Sequence, residues 1–130
     1  MGTITYDTHE VANDTLVTTA ETVVATLSGV STPRRTTVRL QGWCQITTGA
    51  ATTGLTGRIR RGTDINGTLL GEANVEQVEA AAGSSEEVYV EAEDPGVDLA
   101  GATYVLTVQQ TAATGNGTGL QASLHARMPD

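Results

Sequence analysis

The chain has no phenylalanine and no lysine, and among its 130 residues there are one tryptophan, one cysteine, three tyrosines and three prolines. An aromatic side chain buries roughly 150–250 Å², so a core with so few of them must be assembled from Val, Leu, Ile, Ala and Thr methyls. This thin apolar supply makes subunit contacts a further source of burial and a monomer the less favoured state. The single Cys44 excludes an internal disulfide and, placed in an alternating segment, reads as a small buried hydrophobe. No run approaches the roughly 18 apolar residues of a membrane span. The N-terminus has neither the basic nor the apolar region of a signal peptide, so no membrane partner is expected.

Positive charge is scarce as well. Fifteen acids oppose seven bases, all arginine, for a net charge of −8. Phosphate backbones would be repelled overall, which argues against nucleic acid as a partner. Six of the arginines, Arg34, Arg35, Arg39, Arg58, Arg60 and Arg61, fall within one third of the chain. They can pair with Glu and Asp across strands, or form a basic patch on an acidic protein for an acidic partner or a sister subunit.

What the chain does have is threonine, 15 glycines and short alternating segments, a composition that suits strands and turns and disfavours helices. Residues 101–128 carry the clearest pattern. Tyr104, Leu106 and Val108 alternate with Val105, Thr107 and Gln109; further on, Leu120, Ala122, Leu124, Ala126 and Met128 alternate with Gln121, Ser123, His125 and Arg127. Between these runs Asn116-Gly117 suits a type I′ turn. Upstream, residues 21–27, 35–47, 55–61, 68–80 and 86–93 read as further strands, with 68–80 either two strands or one bent strand. The turns fall at Ser31-Thr32-Pro33, Gly62–Gly67 and Asp94-Pro95-Gly96. In the strand over 35–47 the apolar set is Val38, Leu40, Cys44 and Ile46, which leaves Trp43 on the polar face, either covering the sheet or meeting a partner. Residues 1–20 hold only scattered apolar side chains and read as an arm with one short strand. The length permits one domain, so the expected division is an arm over 1–20 and a sandwich over 21–130. Seven or eight strands without helical period indicate an all-β sandwich or barrel.

Chemistry finds little support. His9 and His125 lack a second ligand at zinc-like spacing. Glu93, Asp94 and Asp98 bracket a turn but do not follow the calcium-loop pattern. No serine sits in a nucleophile elbow, and the glycines form no phosphate loop. Three Asn-x-Thr triplets, at Asn13, Asn66 and Asn116, read as turn chemistry. The chain is therefore expected to be no enzyme, with no catalytic residues, no cofactor and no metal.

Trp43-Cys44-Gln45-Ile46-Thr47-Thr48-Gly49, Arg58-Ile59-Arg60-Arg61-Gly62-Thr63, Tyr104-Val105-Leu106-Thr107-Val108-Gln109-Gln110 and Gly115-Asn116-Gly117-Thr118 resemble small structural proteins of tailed bacteriophages, most of all the head decoration, or cement, proteins. The resemblance covers residues 21–128 in style and order. It implies a jelly-roll-like antiparallel β-sandwich of about eight strands with an extended N-terminal arm, assembled as a homotrimer on the outer surface of the virion capsid. The implied partner is the major capsid protein, and the implied work is mechanical, bridging capsomers. Ile4 and Tyr6 in the arm, with Trp43, Arg58, Arg60 and Arg61, are the candidate capsid or subunit contacts. The alternative is a trimeric phage tail or spike tip domain that binds a host receptor or glycan.

Overall fold

The computed structural model describes residues 3–11, 16–31, 36–47, 54–75, 85–97, 101–111 and 117–129. Nine antiparallel strands account for almost all of them: β1 (Thr3–Val11), β2 (Leu16–Val17), β3 (Thr22–Val30), β4 (Thr36–Thr47), β5 (Leu55–Arg61), β6 (Thr68–Val75), β7 (Ser85–Val97), β8 (Ala102–Gln110) and β9 (Gly117–Pro129). They form two sheets. Sheet A has the order β1-β9-β4-β7, with the short β2 also on β9, and sheet B the order β3-β8-β5-β6.

Setting β2 aside, the pairings β1·β9, β3·β8, β4·β7 and β5·β6 nest inside one another. The chain folds back on itself as one long hairpin whose tip is the β5–β6 turn. Rolling that hairpin up brings β4 against β9 and β5 against β8 and divides the ladder between two sheets, which is a jelly-roll sandwich. At the tip, Asp64 organises the turn: its carbonyl accepts from Gly67 N at 3.1 Å and its Oδ1 accepts from Asn66 N at 2.9 Å.

The core lies between the sheets and is aliphatic, as the aromatic shortage requires. Val38, Leu40, Cys44 and Ile46 of β4 face Leu55 and Ile59 of β5, Tyr104, Leu106 and Val108 of β8, and Ala122, Leu124, Ala126 and Met128 of β9, all within the buried set. Two glycines make room for this filling. A Cβ on Gly42 would lie 2.8 Å from Leu106 Cδ1, and one on Gly57 would lie 2.7 Å from Val90 Cγ2.

The structure departs from the sequence expectations in three places. The two alternating runs of residues 101–128 do not form a hairpin: β8 belongs to sheet B and β9 to sheet A, and Gly117 already belongs to β9. Asp94-Pro95-Gly96 is not a turn. β7 runs through it to Val97, with Val38 opposite Asp94 and Thr36 opposite Val97. Two residues of β7, Pro95 and Gly96, therefore stand opposite Thr37 alone, a bulge of the kind that tolerates a residue without an N–H. Finally, the segment read as an arm contains a nine-residue strand, β1, on the edge of sheet A, where Ile4 pairs with Met128 and Tyr6 with Ala126 of β9. Residues 68–75 form one strand.

Candidate interaction surface

The three arginines expected to share a contact surface are split between two environments. On β5, Arg58 and Arg60 lie on the outer face of sheet B, in register with Thr107 and Val105 of β8. There they converge on Glu21, just ahead of β3. Arg60 grips its carboxylate with two bonds, Nε to Oε2 at 2.7 Å and Nη2 to Oε1 at 2.9 Å. Arg58 Nη1 donates to Glu21 Oε1 at 3.3 Å and its Nε to Glu72 Oε1 at 2.6 Å, with a further bond to Gln109. Thr107 Oγ1 completes the shell of Glu21 at 2.5 Å. The hydrogen bond from Arg60 holds the Glu21 carboxyl below its ordinary range, outweighing the opposing effect of burial, and Glu21 in turn raises Arg60. This is the cross-strand pairing that the sequence left open beside the basic-patch reading. With side-chain exposures of 21% for Arg58, 16% for Arg60 and 12% for Glu21, these charges are largely used within the chain.

Arg61 points the other way, between the sheets at one end of the sandwich. Its Nη1 donates to both oxygens of Asp94, at 2.7 and 2.9 Å, and Tyr104 Oη donates to Asp94 Oδ2 at 2.8 Å. Asp94 is only 2% exposed and Tyr104 is fully buried. Burial, followed by the bond to Asp94, drives the Tyr104 phenol well above its ordinary range. Strand alternation, in step with Val88, Val90 and Ala92, turns Asp94 inward, while its neighbour Glu93 reaches Arg39 on the outside at 3.8 Å. Glu93 and Asp94 therefore do not converge, and no metal-binding cluster of three or more His, Cys, Asp or Glu occurs among the described residues. Asp98 and the side chain of His9 lie outside the described residues.

Trp43 stands at the centre of the outer face of sheet A. Its register partners are Tyr89 on β7 and Ser123 on β9. The Trp43 and Tyr89 rings lie 6.4 Å apart at 40°, in the range for tilted aromatic pairs. Tyr89 is 65% exposed, and Trp43 Nε1 is buried without a hydrogen-bond partner. A hollow of about 470 Å³ opens between Gln41, Trp43, Tyr89, Glu91, Ser123 and His125, and a second of about 370 Å³ continues it towards Arg39, Glu93 and Arg127. Each side chain reaches this face through strand alternation, since Arg39, Gln41, Trp43 and Gln45 are the odd-numbered partners of the core-facing set on β4. Tyr89 belongs to the strand expected over 86–93. Its place beside Trp43 follows from the β4·β7 register, for which the sequence holds no local signal.

No protein-family model matches this sequence, and no curated protein matches it. Solved structures do resemble the fold. One is a chain from infectious bursal disease virus, Gx strain, with a TM-score of 0.57 and 8% identity over 95% of this chain and 32% of that one. Another comes from the VP2 subviral particle of the same virus, with a TM-score of 0.58 and 9% identity over 95% of this chain and 32% of that one. A third, FLHE, is matched over its whole length and the whole of this chain, with a TM-score of 0.51 and 10% identity. The chain spans about a third of the length of the viral chains it matches. At such identities the likeness is one of fold.

Proposed function

We propose that this chain is a structural protein of a virus particle, and more specifically a decoration protein that binds the outer surface of a phage head and bridges its major capsid proteins. The observation that carries the reading is the nested-hairpin sandwich, similar over 95% of the chain to part of the chains of infectious bursal disease virus and its VP2 subviral particle. The phage-like segments around Trp43, Arg58 and Tyr104 point in the same direction. A ligand that binds only the assembled shell stabilises it by mass action, so no reaction is required of the protein.

The outer edge of β1 is the attachment element in this reading. Across the sandwich, the β7 edge is covered by β6, which approaches so closely that a Cβ on Gly71 would lie 2.5 Å from the carbonyl of Glu91. β1 is terminal in sheet A, and its outward backbone groups can extend the sheet with a strand of a capsid subunit, with main-chain bonds supplying affinity. The side chains of Ile4 and Tyr6 lie outside the described residues, and Arg58, Arg60 and Arg61 would act by holding the sandwich together.

The test is co-sedimentation of the purified protein with undecorated phage heads. Saturable binding in proportion to the major capsid protein, with heads that survive higher temperature, is expected. No binding at saturating concentration would discard the reading. The aromatic pair on the open face favours a second possibility, a tail or spike tip domain, which would appear in purified virions in only a few copies.

A further inference from the structure

We propose that the outer face of sheet A binds a second copy of itself about a two-fold axis running parallel to β4. The proposal needs nothing from the virion reading, and it puts a dimer where the resemblance implied a homotrimer.

Charge is sorted across three neighbouring strands of this face. The outward row of β7 is Glu87, Tyr89, Glu91 and Glu93; the outward row of β9 is Gln121, Ser123, His125 and Arg127. Between them runs Arg39, Gln41, Trp43 and Gln45 of β4, level with both rows. One flank of the face is thus acidic, the other is basic and neutral polar, and the aromatic pair lies in the middle.

A surface that pairs with itself does so about a two-fold axis, and the two limiting directions in the plane of the sheet are across the strands and along them. An axis across the strands lays β7 over β7, opposing one acidic row with another. An axis along the strands lays β7 of one copy over β9 of the other and preserves the level of every residue. It places Glu93 against Arg127 of the second copy, Glu91 against His125, Tyr89 against Ser123 and Glu87 against Gln121, and repeats each contact by symmetry. The charge pattern therefore selects the second axis.

Shape agrees with charge. Tyr89 is the most exposed large apolar side chain among the described residues, at 65%. Ser123, the position it would meet, is the small residue on β9 beside Trp43, where the hollow of about 470 Å³ opens. Each copy thus offers one projecting ring and one recess to receive it. The polar tip and apolar body of Tyr, with Trp and Arg close by, form the composition enriched where proteins bind one another.

The face also solves a problem posed by composition, because two chains of net charge −8 repel. Here Arg39 and Arg127 stand among Glu87, Glu91 and Glu93, so the two surfaces meet with opposite charges in register. Three strands about 4.8 Å apart, crossed over seven residues at about 3.3 Å each, give a footprint of several hundred Å² per copy. That extent belongs with weak, reversible interfaces.

Sedimentation of the purified chain across micromolar to near-millimolar concentrations tests the proposal. The expected mass rises from one chain to two and no further. Glu93→Arg opposes Arg127 of the second copy at two symmetry-related places and weakens association at least about tenfold; the doubly swapped chain, Glu93→Arg with Arg127→Glu, regains it. Among the described residues Glu93 pairs with Arg39 in a long, exposed contact of 3.8 Å, so thermal melts of these variants should match the parent. Tyr89→Ala, which changes no charge, should weaken association about as much through loss of the central anchor. A chain that stays monomeric throughout, a trimer, indifference to Glu93→Arg or Tyr89→Ala, or a swapped chain that does not recover would each overturn the proposal.

Discussion

Replacing Asp94 by Ala should be among the most damaging single substitutions in this sandwich, and the size of the effect follows from its three hydrogen bonds. Asp94 is 2% exposed and accepts two bonds from Arg61 and one from Tyr104. Truncation leaves the Tyr104 hydroxyl buried without a partner, at about 1–3 kcal/mol, and leaves the Arg61 guanidinium without its counter-ion. Breaking a fully buried pair costs about 3–5 kcal/mol, but the Arg61 side chain is 32% exposed and can recover some water, so the lower part of that range applies. The two together come to roughly 4–6 kcal/mol. Tyr104→Phe leaves Asp94 with Arg61 and should cost only about 1 kcal/mol. Asp94→Asn, which retains an acceptor for Tyr104, should fall between them. The double variant Asp94→Ala with Tyr104→Phe should cost less than the sum of its parts, because the stranded hydroxyl has gone. Urea unfolding with linear extrapolation measures each value. An Asp94→Ala chain within about 1 kcal/mol of the parent, or strict additivity in the double variant, would refute the idea that this buried triad ties the two sheets together.

Stability should decline at both ends of the pH scale. Glu21 is held below its ordinary 4.5 by Arg60, so its contribution is complete above that value and is lost as pH falls through the lower folded value; Glu21→Gln should flatten the acid limb of the unfolding curve. Burial pushes the Cys44 thiol from 9.0 up to about 12 and lifts Tyr104 above 10.0. Both contributions are complete below the ordinary values and fade as pH rises past them, by up to about 1.4 kcal/mol per unit for each group. An alkaline melting profile that remains level above pH 9 would contradict this. Gly71→Ala should cost about 1–3 kcal/mol, because the added carbon would lie 2.5 Å from a backbone oxygen of β7, and thermal unfolding that matches the parent would show that β6 can move away freely.

Strand positions were legible because alternation is a local signal. Val38, Leu40, Cys44 and Ile46 fall on the core face of β4, and Arg58 and Arg60 on the outer face of β5, as period two requires. Pairing was not legible, because partners in the nested hairpin are far apart in sequence. The runs ending in Gln110 and beginning at Gly117 are adjacent in the chain and alternate cleanly, yet they belong to opposite sheets. Asp94 misled for a related reason. Asp-Pro-Gly is strong turn chemistry in isolation, but β4 supplies a ladder that holds it as a bulge, and the need of Arg61 and Tyr104 for a buried acceptor fixes its side chain. Only one short strand was expected in residues 1–20 because the apolar residues there are sparse; the nine-residue register of β1 on β9 is what gives it its length.

The two outer faces show why counting charges could not locate a recognition surface. Both combine arginine with glutamate on alternating strands, and the sequence drew attention to the one on β5. Register separates them. On sheet B the convergence of Arg58 and Arg60 on one carboxylate consumes their donors at 2.7–3.3 Å, and a partner would have to break an existing ion pair to use them. On sheet A the ion pair of Arg39 with Glu93 is long and exposed, at 3.8 Å with side-chain exposures of 69% and 62%, and exchanging it for one with another molecule costs little. An exposed aromatic ring and an indole N–H without an acceptor lie within the same few residues. The proposed self-association is therefore placed on sheet A, where the ion pair within the chain is long and exposed, and the satisfied network on sheet B serves the stability of the sandwich.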